Sequence, residues 1–345
     1  MSSKYCVQQV DIGAHAQAVT ALWSRCLRSL TPQMALGRLQ HRYLRNPAGT
    51  GATLLLQADE PAEAAGVQCL HARVFYHQGV SMRVAGMADY AVAETHRTLG
   101  PALQLMKQGL AVGRSQYDWV YGLPNAKSEA VCKRSGLQRW GSIGRWTRLL
   151  RTGTLLRRWL PGPVAAVLAP LADLALVLRD AVRLPHGDTL HWEDGQHFPS
   201  ALDTVWQRRG AELSVSDRSR ALLEWRFASE PGRWTLSLAR RFDGSAFGYV
   251  VWRLDDKVAL IADFLCVNPV QQTATLLRAF AWHLRGRPAE RLTLEFFGSP
   301  QVMEGLREAG FLRRPEDQPL YVAHGTQQAP AAECWYFTGF DRDGD

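Results

Sequence analysis

Two segments of this chain carry matching residues at matching spacings, and this constrains the fold more than any other feature. Asp89 precedes Gly136 by 47 residues, and Asp263 precedes Gly310 by the same 47. An apolar stripe lies at equal offsets from the two aspartates: Leu103, Met106 and Leu110 in the first segment, and Leu277, Phe280 and Leu284 in the second. Spacings that agree over this length predict two copies of one structural unit.

Each copy is predicted to be an α+β unit. In the first copy, period-2 and period-3.6 apolar patterns alternate in the order β-α-α-β-β-β-α-β-α, ending near Gly136. We place the copies at 1–150 and 190–345. The apolar, Arg- and Trp-flanked segment 151–189 is predicted to be a linker of helices.

Composition excludes some classes of protein. The chain has 345 residues, 46% of them hydrophobic and 21% charged, which is typical of a globular protein. Its six cysteines show no Cys-x-x-Cys spacing, so we expect no metal site and no secreted disulfide framework. The net charge of +8 comes from arginines spread along the chain without a nucleic-acid-binding motif, so we predict no nucleic-acid partner. The N-terminus shows no signal peptide, and cytoplasmic localisation is expected.

The segment 97–102 (RTLGPA) is a candidate anion-binding loop. It follows a predicted strand that ends near Val92 and opens a predicted helix with Gly100 and Pro101. A helix start presents unpaired backbone N–H groups and the positive end of the dipole, which suits a diphosphate. Gly100 lets an anion approach the backbone, although Gly-Pro also begins many ordinary helices.

These residues carry a resemblance to a known family. The segment 97–102 is similar to the (Arg/Gln)-x-x-Gly-x-(Gly/Ala) loop of the GNAT acyltransferases. A predicted strand at 117–121, a turn with Asn125 and a short helix ended by Gly136 follow in the order of that family. The resemblance implies two tandem GNAT-like domains, each a mixed, mostly antiparallel sheet flanked by helices. It also implies acetyl-CoA or another acyl-CoA as co-substrate, without a metal.

The resemblance assigns the acyl-CoA site residue by residue. Cofactor contacts fall on the backbone of Val92 and Ala93 for the pantetheine arm, with Asn125 and Ser128 beside it. The diphosphate falls on the loop residues Arg97, Thr98, Leu99, Gly100, Pro101 and Ala102.

Two residues are candidate catalysts. Asp89 is the candidate base, with a structural role as the alternative because Asp263 repeats it in the second copy. Tyr121 is the candidate proton donor, with core packing as the alternative. In many family members, a tyrosine at the position of Cys132 acts as the general acid. For Cys132 itself we predict core packing.

The second copy is predicted to be degenerate. Its segment 269–275 (PVQQTAT), at the position of the loop, has no glycine, so it is less able to wrap a diphosphate. A single acyl-CoA is therefore expected in the first copy.

The linker has two interpretations. Residues 159–178 have the length of a membrane span, but internal prolines and Asp173 argue against spanning. Either two helices pack between the lobes, or residues 151–184 form a peripheral membrane contact with Arg157, Arg158 and Trp159 at the lipid boundary.

The function expected is transfer of an acetyl or acyl group from CoA to an amine or hydroxyl of a small-molecule or saccharide acceptor. The resemblance hints at a bacterial cell-envelope saccharide or lipid precursor, handled by a protein peripheral to the inner membrane. The alternative is a non-catalytic scaffold or acyl-CoA-sensing module that binds a partner at the membrane face.

Overall fold

The computed structural model describes residues 4–27, 30–59, 63–183, 190–230 and 232–342, without the side chains of residues 183 and 316. The first half contains, in order, β1 (Tyr5–Val10), α1 (Ala16–Cys26), α2 (Pro32–Leu39), β2 (Ala52–Ala58), β3 (Glu63–His77), β4 (Val80–Val92), α3 (Leu99–Gln116), β5 (Trp119–Gly122), α4 (Glu129–Ser135) and β6 (Gln138–Leu149). A π-helical turn, Gln40–Leu44, extends α2.

Two helices, α5 (Gly153–Trp159) and α6 (Gly162–Arg183), connect the halves. The second half contains β7 (His191–Gly195), α7 (Ala201–Gln207), β8 (Ser214–Ser216), α8 (Arg220–Phe227), β9 (Thr235–Arg240), β10 (Ala246–Asp255), β11 (Val258–Cys266), α9 (Pro269–His283), β12 (Arg291–Gly298), α10 (Pro300–Glu308), β13 (Leu312–His324) and β14 (Trp335–Thr338). Apart from β8 and β14, the order of elements repeats that of the first half.

The described strands form one mixed sheet, in the order β1-β2-β3-β4-β5-β13-β6-β12-β11-β10-β9-β7, with β8 and β14 attached to β3 and β12. Most neighbouring pairs are antiparallel, and β4–β5, β11–β12 and β8–β14 are parallel. The predicted class, an α+β fold with a mixed, mostly antiparallel sheet flanked by helices, is confirmed.

The final strands of the two halves are exchanged. β13, the last sheet strand of the second half's repeat, pairs with β5 of the first half, and β6 of the first half pairs with β12 of the second. β6 and β13 also pair with each other. The sheet therefore runs without a break through both halves. β6 of the first half pairs with a strand of the second half, and β13 of the second half pairs with a strand of the first. The boundaries 1–150, 151–189 and 190–345 stay a prediction about domains.

The α3 helix shows why the apolar stripe occurs. Met106 and Leu110 are buried against the sheet, and Leu103 packs beside them. Leu99, four residues before Leu103, is 47% exposed because it lies in the first turn of the helix. Gly113 also faces the sheet, since a Cβ there would lie 2.7 Å from a methyl of Val120.

The short helix that was predicted between Asn125 and Gly136 is α4, which begins at Glu129. It ends as predicted at Gly136, which has φ +99 in the left-handed C-cap conformation that glycine adopts at little cost. Its repeat partner Gly310 has φ +82 after α10. The equal spacing of the two glycines thus reflects equal helix termination.

The connecting helices lie on the outside of the protein. The backbone amide and hydroxyl of Thr152 bind the Asp173 carboxylate at 2.6 and 2.7 Å. Asp180, also on α6, is buried and contacts Arg148 at 2.7 Å and Arg285 at 2.6 Å. Asp173, which argued against a membrane span, therefore connects α6 to the start of α5, and Asp180 attaches α6 to the body of the protein. In the part of the chain that the structure describes, no helix has the length and hydropathy needed to cross a bilayer.

Candidate functional site

A gap opens in the sheet of the first half where β4 and β5 separate. The two strands pair only from Val84 with Trp119 to Met87 with Gly122. Beyond Met87, the register between β3 and β4 shifts, and Asp89 has φ +48, an unusual conformation for a residue other than glycine. This bulge turns β4 away from β5 and leaves a cleft.

The cleft, called here the first cleft, encloses about 580 Å³. It is lined by Leu27, Leu30, Met34, Arg38, Gln68, Met87, Ala88, Asp89, Tyr90, Met106, Gly122, Leu123, Pro124, Asn125, Ser128, Cys132, Arg233 and Gln318. The structure thus brings together three of the residues predicted to form the site, Asp89, Asn125 and Ser128, with Cys132 beside them. The volume is in the range of small-molecule sites.

Both carboxylate oxygens of Asp89 are engaged. Arg38 Nη1 donates to Oδ1 at 2.6 Å, and the Tyr43 hydroxyl donates to Oδ2 at 2.6 Å. The indole of Trp23 donates to the Asp89 backbone carbonyl at 3.2 Å. Burial, and next the nearby Asp89 charge, raise the pKa of Tyr43 well above its ordinary value, so its proton stays on the hydroxyl. In this arrangement Asp89 fixes the bulge, and each of its carboxylate oxygens already accepts a hydrogen bond from the protein.

The loop before α3 has the features of an anion site. Thr98 is the N-cap residue, but its side chain makes no capping hydrogen bond. Across the described ranges, no hydrogen-bond acceptor is recorded for the amides of Leu99 and Gly100, and Pro101 has no N–H. A Cβ on Gly100 would meet no atom within 4 Å apart from its chain neighbours and its own helix backbone, so the space beside this residue is open. Ala102 is buried in the first turn.

The backbone at the end of β4 faces in alternate directions. Ala93 donates its amide to Ala65 on β3 at 2.8 Å, so its N–H faces away from the gap. Because neighbouring residues of a strand direct their peptide groups to opposite edges, the groups of Val92 face the gap. The Val92 carbonyl accepts from Arg97 Nε and Nη2 at 3.2 and 3.1 Å. Arg97 therefore folds back onto the strand edge rather than over the loop.

Asn125 organises the turn that enters α4. Its Oδ1 accepts from the amides of Lys127 and Ser128 at 3.0 and 3.1 Å, and the Ser128 hydroxyl donates to it at 3.2 Å. Ser128, not Asn125, is the N-cap residue of α4. The neighbouring Cys132 is buried; burial and then Glu129 raise the pKa of its thiol to about 11, so the thiol is protonated at neutral pH.

Tyr121 lies away from the first cleft. Its hydroxyl donates to the Asp341 carbonyl at 2.8 Å, and its ring packs against Phe75 and Phe337. The structure therefore places Tyr121 in an aromatic core between the halves, as in the alternative raised above.

Two residues of the first cleft carry no sequence motif. Gln68 is fully buried opposite the β4 bulge; its Nε2 lies 3.3 Å from the Met106 sulfur, while its Oε1 has no hydrogen-bond partner. Tyr90 donates its hydroxyl to the Ala102 carbonyl at 2.8 Å, which connects the cleft to the first turn of α3. Only the alternation of Gln68 within an apolar strand could have indicated an inward-facing polar group.

The corresponding place in the second half has different hydrogen bonds. Asn268, before α9, donates its amide to the Arg208 carbonyl at 3.0 Å, and its own carbonyl accepts the amides of Gln271 and Gln272. Asp263 accepts from Thr338 Oγ1 at 2.6 Å and Tyr249 at 2.8 Å, fully buried. Because Pro269 has no N–H, and Gln271 and Gln272 donate to Asn268, the start of α9 offers fewer unpaired amides than the start of α3.

A second cleft of about 600 Å³ adjoins the first. It lies between α2, α8 and the strands β11 and β12, and its arginines are Arg38, Arg42, Arg145, Arg226, Arg233, Arg253 and Arg342. Leu30, Met34, Arg38 and Arg233 line both clefts. Among the described residues, no three His, Cys, Asp or Glu side chains are grouped as metal ligands.

Solved structures share this architecture. A GCN5-related N-acetyltransferase from Anabaena variabilis is similar, with a TM-score of 0.64 and 13% sequence identity. The match covers 92% of this chain and 72% of the Anabaena chain. A GCN5-related N-acetyltransferase from Kribbella flavida is also similar, with a TM-score of 0.59 and 15% sequence identity. This match covers 93% of this chain and 71% of the Kribbella chain. The chain has the GNAT fold.

Another similar structure, with a TM-score of 0.54, is the Saccharomyces cerevisiae N-myristoyltransferase with bound myristoyl-CoA, which is 9% identical over 96% of this chain and 85% of its own. No protein-family model matches, and no curated protein matches in sequence. The GNAT fold predicted from the loop and the repeat is confirmed. Tandem duplication as the origin of the two halves stays a prediction, supported by their equal order of elements.

Proposed function

We propose that this protein is an acyltransferase that moves an acetyl or longer acyl group from CoA to an amine or hydroxyl acceptor. The observation that carries the proposal is the uncapped start of α3 beside the gap between β4 and β5. The amides of Leu99 and Gly100 suit a diphosphate, and the gap leads from there past Tyr90 into the first cleft.

The residues of the first half fit an acyl-CoA. Gly100 leaves room at the helix start, and the edge of Val92 faces the gap, where an extended pantetheine arm can pair as an added strand. Arg97 holds the Val92 carbonyl and must release it for that pairing. The unpartnered Oε1 of Gln68 offers an acceptor for an amide N–H deep in the cleft.

When bound, acyl-CoA supplies an acyl group activated as a thioester. The chain's own residues position the reactants, because both oxygens of Asp89 are occupied and Tyr121 lies elsewhere. We therefore assign catalysis to the alignment of the two reactants within the first cleft. A cell-envelope saccharide or lipid precursor is the acceptor that we carry forward.

Thiol release from acetyl-CoA tests the activity. Purified protein is mixed with acetyl-CoA and panels of amine and hydroxyl acceptors, and free thiol is followed over time. We expect acceptor-dependent release that is lost in Gly100→Glu and kept in Gly286→Glu, which places the same side chain at another open glycine. Equal release in the two variants would contradict the proposal.

A non-catalytic acyl-CoA sensor is the second candidate. It is favoured by the engagement of Asp89 with Arg38 and Tyr43, which leaves the first cleft without an accessible carboxylate base among its described residues. Saturable acetyl-CoA binding with no thiol release across the acceptor panel would select it over the enzyme.

We also propose that α5 and α6 contact a membrane surface peripherally. One face of α6 exposes an uninterrupted apolar row, namely Val164, Val167, Leu168, Leu171, Leu174, Leu178 and Val182. Trp159, at the end of α5, is 75% exposed beside the exposed Arg157 and Arg158. Apolar side chains flanked by arginines and a tryptophan complement an anionic lipid interface.

Vesicle co-sedimentation tests this contact. We expect binding to vesicles that contain phosphatidylglycerol, weaker binding to phosphatidylcholine vesicles, and loss of both in Leu171→Glu. The control is Phe242→Glu, at a residue 93% exposed in the turn between β9 and β10. Equal sedimentation of both variants would contradict the proposal.

A further inference from the structure

We propose that the second cleft binds the acceptor through an oxyanion, a phosphate or carboxylate group that the acceptor carries in addition to its nucleophile. That the bound molecule is an acyl acceptor rests on the proposed function. The anion site itself follows from the residues of the cleft. No sequence motif indicates it, since its residues come from both halves of the chain.

The charge of the cleft is strongly one-sided. Seven arginines line it against two glutamates, Glu230 and Glu295. Glu230 pairs with Arg233, and Glu295 accepts two bonds from Arg342 at 2.5 Å. These two carboxylates pair with Arg233 and Arg342, and Asp89 pairs with Arg38, so the lining still carries more arginines than carboxylates. A concave, cationic lining concentrates anions.

Arg253 shows the available binding group most clearly. Its guanidinium lies 5.0 Å from the centre of the Trp234 ring, and Arg233 lies 5.5 Å from the same ring. Among the described residues, no carboxylate is paired with Arg253. The Trp234 indole thus holds the Arg253 guanidinium beside the cleft, and the forked N–H groups of a single guanidinium suit phosphate or carboxylate oxygens.

The two clefts are connected, so a molecule whose anionic group is bound in the second cleft can act as the acceptor in the first. Leu30, Met34, Arg38 and Arg233 line both cavities. A molecule anchored by its anion on Arg253 can therefore extend its nucleophile past Arg233 and Arg38 towards the first cleft. The walls next to the arginines are apolar, with Phe227, Leu260 and Ile261, and enclose about 600 Å³, so a small molecule fits better than a polymer.

Calorimetric titration with inorganic pyrophosphate, citrate and uncharged sucrose tests the inference. The titrations use Gly100→Glu protein, because pyrophosphate can also bind at the start of α3. We expect one of the two anions to bind, sucrose not to bind, and binding to weaken as NaCl rises from low to high concentration. The tighter anion identifies the acceptor's group as phosphate or carboxylate.

Arginine variants locate the site. Arg253→Gln is expected to weaken anion binding about tenfold, because a charge-assisted hydrogen bond is lost. Arg145→Gln, at an exposed position of the same lining, should cause a similar loss. The matched control is Arg314→Gln, an exposed arginine outside the lining, which should leave affinity unchanged. Thermal melting confirms that each variant is folded.

The outcomes separate this inference from the proposed function. No anion binding in Gly100→Glu protein, or binding unaffected by Arg253→Gln and Arg145→Gln, overturns the anion site even if wild type binds acetyl-CoA. Arginine-dependent anion binding supports the site even if wild type fails to bind acetyl-CoA, in which case the proposed function fails instead.

Discussion

Arg38 Nη1 lies 2.6 Å from Asp89 Oδ1 at the junction of the two clefts. The Asp89 side chain is 4% exposed and the Arg38 side chain 18% exposed, so the pair is largely shielded from water. Asp89 thereby fixes both the bulge of β4 and the position of an arginine that lines both clefts.

Asp89→Asn distinguishes a structural from a catalytic role. We expect the free energy of unfolding to fall by about 1–3 kcal/mol, because charge-assisted bonds to Arg38 and Tyr43 are lost. Chemical denaturation measures this, and thiol release at saturating substrate measures turnover. Unchanged stability with abolished turnover would instead identify Asp89 as the base.

Asp180 gives a stability effect that depends on pH. Burial acts to raise the pKa of Asp180, but Arg148, Arg285 and Arg179 outweigh it and lower the pKa below the ordinary value of 3.8. The unfolded chain then binds the proton more readily than the folded one. The stabilisation is therefore full above about pH 5 and is lost as the pH falls through the folded pKa.

The corresponding variant is Asp180→Asn, expected to lose about 3–5 kcal/mol at neutral pH because buried arginines such as Arg148 lose their counter-charge. Denaturation of wild type and variant at neutral and acidic pH measures the difference. A difference that does not shrink towards low pH would contradict the assignment.

Gly109→Ala tests whether Gln68 belongs to the acyl-CoA site in the first cleft. A Cβ at Gly109 would lie 2.3 Å from Gln68 Oε1, so the amide must move within the first cleft. We expect acetyl-CoA affinity to fall about tenfold, while Gly286→Ala, at an open position, leaves it unchanged. Titration calorimetry measures both, and equal affinities would remove Gln68 from the site.

The strand exchange predicts that neither half folds by itself. A fragment of residues 1–150 lacks β12 and β13, which flank β6, and leaves unpaired strand edges. We expect it to aggregate, and co-expression with residues 151–345 to yield a soluble complex. A monomeric fragment of residues 1–150 with a cooperative melting transition would contradict the exchange.

Local features were predictable from the sequence because they depend on local geometry. Gly136 and Gly310 end helices in the left-handed conformation, and the apolar stripe of α3 follows from helical periodicity. The exchange of β6 and β13 was not predictable, since alternation indicates a strand but not its neighbour.

Features built from distant residues also escaped prediction. Asp89 is hydrogen-bonded to Arg38 and Tyr43, which lie 51 and 46 residues away in the sequence. The role of Asp89 therefore stayed open in the sequence analysis. The arginines of the second cleft extend from Arg38 to Arg342 without any local pattern. The exposure of the apolar face of α6 depends on Asp173 and Asp180, whose partners Thr152, Arg148 and Arg285 hold the opposite face against the protein.

The most direct test of the central claim is calorimetric titration of acetyl-CoA into wild type, Gly100→Glu and Gly286→Glu. We predict one binding site per chain in wild type and in Gly286→Glu, and no measurable binding in Gly100→Glu, since a carboxylate at the start of α3 repels the diphosphate and fills its approach. Undiminished binding in Gly100→Glu, or two sites per chain in wild type, would contradict the account.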